Sequence, residues 1–170
     1  ATLNEGKGNK TIALRADTDA LPVQEQTELP FASTIPGQMH ACGHDCHAAM
    51  LLGAAQLLKA HEDEIEGTVK LMFQPGEESP GGAKYLCADG LFSAFSVEAI
   101  FGLHLWPGLE KGRIFSRPGE MMSRSAELDV DIFGKSAHIG RSWEGIDATE
   151  AACVFLQRAY ELERSVPGDI

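Results

Sequence analysis

Read for the spacing of its apolar side chains, the chain shows two textures. From Thr11 to about Arg117 short apolar runs alternate with helical stretches: "TIALR", "AAMLLGAAQLLKA", "TVKLMFQ", "GGAKYLCADG" and "EAIFGLHL". That alternation predicts β-α-β-α-β, an α/β unit with helices on both faces of a mainly parallel sheet. The helix expected from about Asp45 is apolar almost all round, with Ala48, Met50, Leu51, Leu52, Ala55, Leu57 and Leu58, which predicts burial on more than one side. Gly90 follows a short helical pattern where a left-handed C-terminal cap is expected. Past Pro118-Gly119 the pattern changes. "AELDVDI" places Ala126, Leu128, Val130 and Ile132 on one face and Glu127, Asp129 and Asp131 on the other, a strand with one wet face. Asp147, three residues before Glu150, then reads as the cap of a helix that carries Ala152, Phe155, Leu156, Ala159 and Leu162 on one side. Residues 1–117 are thus expected to form one α/β unit and residues 118–170 part of a smaller α+β unit, and both ends read as cut.

Composition narrows the function. A chain of 170 residues, 44% hydrophobic and 23% charged, has enough apolar surface for a core. Its formal charge of -11 and its 14 scattered Lys and Arg residues disfavour a nucleic-acid partner, because phosphate binding wants clustered cations. Neither an 18-residue apolar run nor a secretory leader pattern occurs in the visible chain, so no membrane partner and a cytoplasmic location are expected. Cys42, Cys46, Cys87 and Cys153 are unevenly spaced in a chain too large to need disulfide staples, which favours reduced thiols and leaves one free to act as a ligand.

Three stretches carry candidate chemistry. "MHACGHDCHAAM" (39–50) packs three histidines, two cysteines and an aspartate into twelve residues. Cys42 and His44 are two apart, so on an extended segment at a strand end both would face one cation, and thiolate plus imidazole suits zinc. A buried thiol beside core histidines is the plain alternative. "FQPGEESPGG" runs a strand into a turn with adjacent acids, Glu77 and Glu78, at the carboxyl end of a strand, where open α/β sheets place their sites. One acid can bind an ion while the other acts as general base; an acidic surface turn is the alternative. A phosphate loop is excluded, since the one Gly-Lys-Ser, at 134–136, has Asp129 where the first glycine belongs. In "IFGLHLW", His104 interrupts an apolar strand. Separated segments thereby supply Cys, His, Glu and His, unlike the paired cysteines of a structural zinc ribbon.

"LRADTDALPVQE", "MHACGHDCHAAMLLGAA", "FQPGEE", "GLHLWPGLEKG" and "GKSAHIGRSWEGIDATEAA" resemble consecutive signature segments of the metal-dependent aminoacylase/carboxypeptidase superfamily. The match is to its amidohydrolase branch, with hippurate hydrolases, N-acyl-amino-acid amidohydrolases and auxin-conjugate hydrolases. The resemblance implies a metallopeptidase-like catalytic domain over residues 1–117 and part of a lid or dimerisation domain over 118–170. It implies that Cys42, His44, Glu78 and His104 ligate one or two divalent ions (Zn, Mn, Co or Ni), with Cys42 a bridge where two bind. Glu77 would be the general base, Asp17 would support the site from behind, and His138 would polarise the substrate carbonyl from the lid. Arg15 stands where many relatives outside this branch carry a ligating histidine. The implied reaction is hydrolysis of the amide bond of an N-acyl amino acid or small peptide, by a homodimer.

Two departures from the pattern stand out. Relatives of this branch carry a Pro-His pair near "AHIGRSWEGID", which this chain lacks. A final ligand histidine, expected far downstream, is also absent, so the sequence reads as an internal stretch that by itself would bind metal weakly and hydrolyse little. Two rival readings are a cysteine-nucleophile enzyme built on Cys42, which gives Glu77 and Glu78 no role, and a non-catalytic metal-binding or dimerisation fragment.

Overall fold

The computed structural model describes residues 1–78, 81–92, 96–122 and 128–166. Contacts divide the chain into two compact units, Ala1–Leu109 and Glu110–Ile170, a boundary that falls ahead of the Pro118-Gly119 punctuation.

The first unit is organised by four strands, β1 (Thr2–Leu3), β2 (Thr11–Asp17), β3 (Thr68–Gln74) and β4 (Ala99–Gly102). They lie in the order β1-β3-β2-β4. β2 runs parallel to β3, with Asp17 opposite Gln74, and parallel to β4, with Arg15 opposite Gly102. Among the described strands only the two-residue β1 pairs antiparallel. The chain goes from β2 to β3 on one side and then to β4 on the other, so the strand order reverses at β2. Open α/β sheets leave a crevice at the carboxyl ends of strands at such a reversal.

Between β2 and β3 runs α1 (His44–Ala60), beginning one residue before the expected Asp45. Gly43 precedes it at φ +82°, and a Cβ there would stand 3.3 Å from the Leu105 side chain, so both backbone and space favour glycine. The expectation that α1 is buried on more than one side is corrected. His44, His47 and Leu51 are its buried residues, whereas Leu52 and Leu57 are 56% and 69% exposed. His44, His47, Leu51, Ala55 and Leu58 follow helical spacing along one stripe. The lower part of that stripe packs on Leu3, Ile12, Leu14, Ala16, Val69 and Leu71. Apolar residues all round a helix therefore did not mean that described neighbours cover it all round.

A shorter helix, α2 (Gly82–Ala88), follows β3. As expected, Gly90 closes it at φ +85°, donating to the Cys87 carbonyl at 3.1 Å. At the other end of α2, Gly82 donates to the Gly76 carbonyl at 2.5 Å, and a Cβ on Gly82 would overlap the Pro75 carbonyl oxygen.

In the second unit the helix expected after Asp147 is present as α3 (Ala148–Ser165), and the Asp147 carboxylate accepts from the Thr149 and Glu150 amides at its N-terminus. The strand expected over Ala126–Ile132 is not formed in the described part: residues 128–132 make no ladder, and Ala126 and Glu127 lie outside the described residues. Alternation marks a surface that suits a sheet but does not supply the neighbouring strand whose hydrogen bonds define one. No helix of the described residues is long and apolar enough to cross a membrane.

Because Leu51 joins α1 to both β2 and β3, Leu51→Ala is expected to destabilise the first unit by about 2–4 kcal/mol. Urea unfolding followed by far-ultraviolet circular dichroism measures this, with Leu57→Ala on the exposed side as a nearly neutral control.

Candidate metal centre

The site sits where the packed stripe of α1 meets the carboxyl ends of the sheet. His44 and His47 occupy the first turn of the stripe that continues as Leu51, so the packing that buries Leu51 also carries both rings inside. They are 0% and 2% exposed. The strand-end reading of Cys42 and His44 is corrected here. Cys42 lies in the turn that Gly43 closes by donating to the His40 carbonyl at 3.1 Å, and His44 opens α1. What gathers the two side chains is left-handed Gly43 at a helix start, not strand alternation.

Asp17 ends β2 and is 1% exposed. Its Oδ2 accepts from Arg15 Nη1 at 2.7 Å and its Oδ1 from His47 Nδ1 at 2.6 Å, while Arg15 Nε also donates to Gln74 Oε1 at 2.9 Å. Burial pushes the Asp17 carboxyl up, but the His47 hydrogen bond and the nearby Arg15, His44 and His47 outweigh it and hold it below its ordinary value. Both oxygens are engaged by protein donors, so the buried cluster of Asp17, His44 and His47 reads as a support rather than a cation site.

Two residues on, Asp19 Oδ1 lies 3.3 Å from His44 Nδ1, and its Oδ2 accepts from the Glu78 amide at 3.0 Å. Burial raises the Asp19 carboxyl, yet the backbone amides of Glu78 and Glu77 bring it below its ordinary value. Asp19 thus ties the histidine of α1 to the turn after β3. With Nδ1 turned to Asp19, His44 Nε2 is buried and has no hydrogen-bond partner. It faces Glu78 Oε1 at 3.7 Å, Asp17 Oδ2 at 3.8 Å and Glu77 Oε2 at 4.0 Å. Those gaps are too long for hydrogen bonds, but the ones to Glu78 and Glu77 suit donors gathered around one ion at bond lengths of about 2.0–2.3 Å.

The third contribution follows β4. His104 Nδ1 donates to the Leu105 carbonyl at 2.6 Å, which leaves Nε2 directed at Cys42 Sγ, 3.5 Å away. Candidate ligand atoms of Cys42, His44 and His104 lie within 4.8 Å of one another, and so do those of His44, Glu77 and Glu78. Cys42, His44, Glu77, Glu78 and His104 are therefore brought together, with His44 common to both groups. Soft thiolate, imidazole nitrogens and carboxylate oxygens form a donor set suited to a divalent transition ion, and the partnerless His44 Nε2 is the atom such an ion would satisfy.

Cys42 itself speaks against the nucleophile reading. Burial and then Glu78, Glu77 and Asp17 push its thiol up to about 11, whereas nucleophilic cysteines sit in electropositive surroundings that lower their pKa. A thiol ringed by carboxylates ionises readily when a cation is beside it.

His138 belongs to the second unit, at the start of a 3-10 turn over Ile139–Glu144. Its Nδ1 accepts from the Gly140 amide at 3.1 Å, so the proton of the neutral ring resides on Nε2. Sequence reading missed Asp19 and the structural use of His47. Both carried a signal: Asp19 follows Asp17 by two along an extended segment, and His47 follows His44 by three on a helix.

The chain belongs to peptidase family M20/M25/M40, whose family profile matches residues 13–168. It is 50% identical over 141 residues to IAA-amino acid hydrolase ILR1-like 4 of Arabidopsis thaliana, a match covering 83% of this chain and 32% of that protein. It is 46% identical over 141 residues to N-acetylcysteine deacetylase of Bacillus subtilis (strain 168), covering 83% and 37%. The chain spans about a third of the length of these curated relatives. Among solved structures, the Bacillus subtilis YXEP protein, a dinuclear metal binding peptidase from the M20 family, superposes with a TM-score of 0.60 at 49% identity, covering 64% of this chain and 30% of that one. A protein of methicillin resistant Staphylococcus aureus superposes over 98% of this chain and 44% of its own with a TM-score of 0.78 at 33% identity. The α/β fold expected from the sequence is the fold of these relatives.

The lowered Asp17 carboxyl makes stability depend on pH. Its folded value lies below the ordinary 3.8, so the stability it contributes is whole above that value and is lost as pH falls through the folded value. Asp17→Asn is expected to destabilise the metal-free chain by about 1–3 kcal/mol at pH 7. Urea unfolding of both proteins in chelator should show that difference shrinking below pH 4.

Proposed function

We propose that this protein is a divalent-metal amidohydrolase that cleaves the amide bond of N-acyl amino acids. The observation that carries this reading is the buried, partnerless His44 Nε2 facing Glu77 and Glu78, with Cys42 and His104 alongside. Kinship to proteins named as IAA-amino acid hydrolase and N-acetylcysteine deacetylase supports the substrate class. Cys42, His44, Glu78 and His104 would hold one or two ions, with zinc, manganese, cobalt and nickel all compatible with these donors. Such an ion supplies Lewis acidity, acidifying water and polarising the carbonyl.

The chain's own residues do the rest. Glu77, 40% exposed at its side chain, is the more accessible acid of the pair and takes the proton from water as the O–C bond forms. It returns that proton to the amide nitrogen as the C–N bond breaks, so one carboxylate serves as base and then acid. Glu78, whose amide is fastened to Asp19, would help to hold the ion. Asp19 and Asp17 orient His44 and His47 without touching substrate. His138, carrying its proton on Nε2, is in the donor state required to stabilise the carbonyl oxygen as it gains negative charge. Dimerisation through residues 110–170 belongs to the proposal and is supported by the exposed apolar residues of α3, among them Leu156, Tyr160 and Leu162.

The division between the acids is testable on a panel of N-acetyl and N-benzoyl amino acids with metal analysis of each variant. Glu77→Gln is expected to keep its metal while activity falls by about 10²–10⁴-fold. Glu78→Gln and Cys42→Ala are expected to lose metal and activity together. Equal metal loss in the two Gln variants rejects the assignment of the acids. A Cys42→Ala variant with full metal content rejects the ligand set, and metal binding with no hydrolysis of any amide would favour a non-catalytic metal-binding role instead.

A further inference from the structure

His47 is nearly as buried as His44, 2% against 0% exposed, yet both of its ring nitrogens are already paired within the protein. Its Nδ1 lies 2.6 Å from Asp17 Oδ1. Its Nε2 accepts from the Leu105 amide at 2.9 Å. A ring nitrogen that accepts from a backbone N–H carries no proton, so the proton of His47 is on Nδ1, facing Asp17. The residue whose amide it holds, Leu105, is also the one whose carbonyl takes the Nδ1 proton of His104. The rings of His47 and His104 meet edge-on with centroids 4.6 Å apart. On the other side of His104, Nε2 points at Cys42 Sγ. Leu105 also packs beside Gly43, where a Cβ would meet its side chain.

We propose that His47 is a positioning residue for the metal centre: through Leu105 it fixes the tautomer and direction of His104. Asp17 selects the His47 tautomer, Nε2 pins the Leu105 N–H, and the Leu105 carbonyl, on the other side of the same Cα, holds the Nδ1 proton of His104 so that Nε2 is free to ligate. Ligand histidines generally need such a partner for their second nitrogen. Here the partner is a backbone carbonyl whose place is set by a second, non-ligating histidine. This inference rests on the metal reading above.

The two bonds of His47 separate by substitution. Asn places an amide nitrogen near the Nδ1 position and keeps donation to Asp17 without reaching Leu105. Gln places an oxygen near the Nε2 position and keeps the acceptor for Leu105 while giving up Asp17. Zinc affinity by chelator competition and the visible spectrum of the cobalt(II)-loaded protein are the readouts. His47→Asn is expected to weaken zinc binding by about 10–100-fold and to shift the cobalt spectrum toward that of His104→Ala, while His47→Gln stays within about threefold of the parent and keeps its spectrum. A merely structural His47 would lower the melting temperature in both variants and leave the cobalt spectrum of the loaded protein alone. Nitrogen NMR on the unmutated, metal-free protein reads the tautomer without any variant: a proton on His47 Nε2 overturns the proposal. So does parental zinc affinity in His47→Asn, or equal weakening in the two variants. If Cys42→Ala loses zinc while His47→Asn retains it, the proposal falls and the metal reading stands. Failure of the unmutated protein to bind zinc or cobalt rejects both.

Discussion

The buried carboxylate of Asp17 is the constraint around which the crevice is built. A charge enclosed by protein is tolerated only when it is paired and hydrogen-bonded. Asp17 ends the central strand, so its partners must come from whatever lies around the end of β2. Arg15 comes from the strand itself and His47 from the first turn of α1. Satisfying this one group brings β2 and α1 into register, and His47 then reaches Leu105, just beyond β4. The segments that carry His44 and His104 are thereby tied to this one carboxylate.

The order of strands and helices in the first unit was legible because each element announces itself locally. β2 and β3 are apolar runs bounded by polar turns, α1 is a long run of helix formers, and Gly90 stops α2. The convergence of Cys42, His44, Glu78 and His104 was readable in outline, since strand ends in an α/β sheet share one edge. Its mechanism was not. That Cys42 and His44 are turned together by left-handed Gly43 is a backbone property, and nothing in the neighbouring side chains advertises it. Likewise the partner of Asp19 is an amide of the residue at 78, a contact between positions far apart in sequence and invisible to spacing.

Where the sequence misled, the reason is again a missing neighbour. The alternation around Leu128 and Val130 describes a surface able to join a sheet, but both residues are exposed and no ladder forms in the described residues. The apolar positions on the outer side of α1 gave the same false impression of enclosure. Hydrophobicity reports what a segment can cover, while burial also needs something to cover it. By contrast the capping aspartate of α3 was readable because its partners are its own next residues, so no distant segment has to be supplied.

The start of α1 has a last consequence, for charge. A helix presents about half a positive elementary charge at its N-terminus, and in α1 that end lies at His44, against Asp17, Asp19, Glu77 and Glu78. The dipole therefore offsets part of the repulsion among four neighbouring acids, so they can sit close together before any cation arrives. Asp45, the acidic residue of the same first turn, draws part of that field toward itself. The crevice is thus less negative than its formal charges imply, and part of that relief comes from backbone that no side-chain substitution removes.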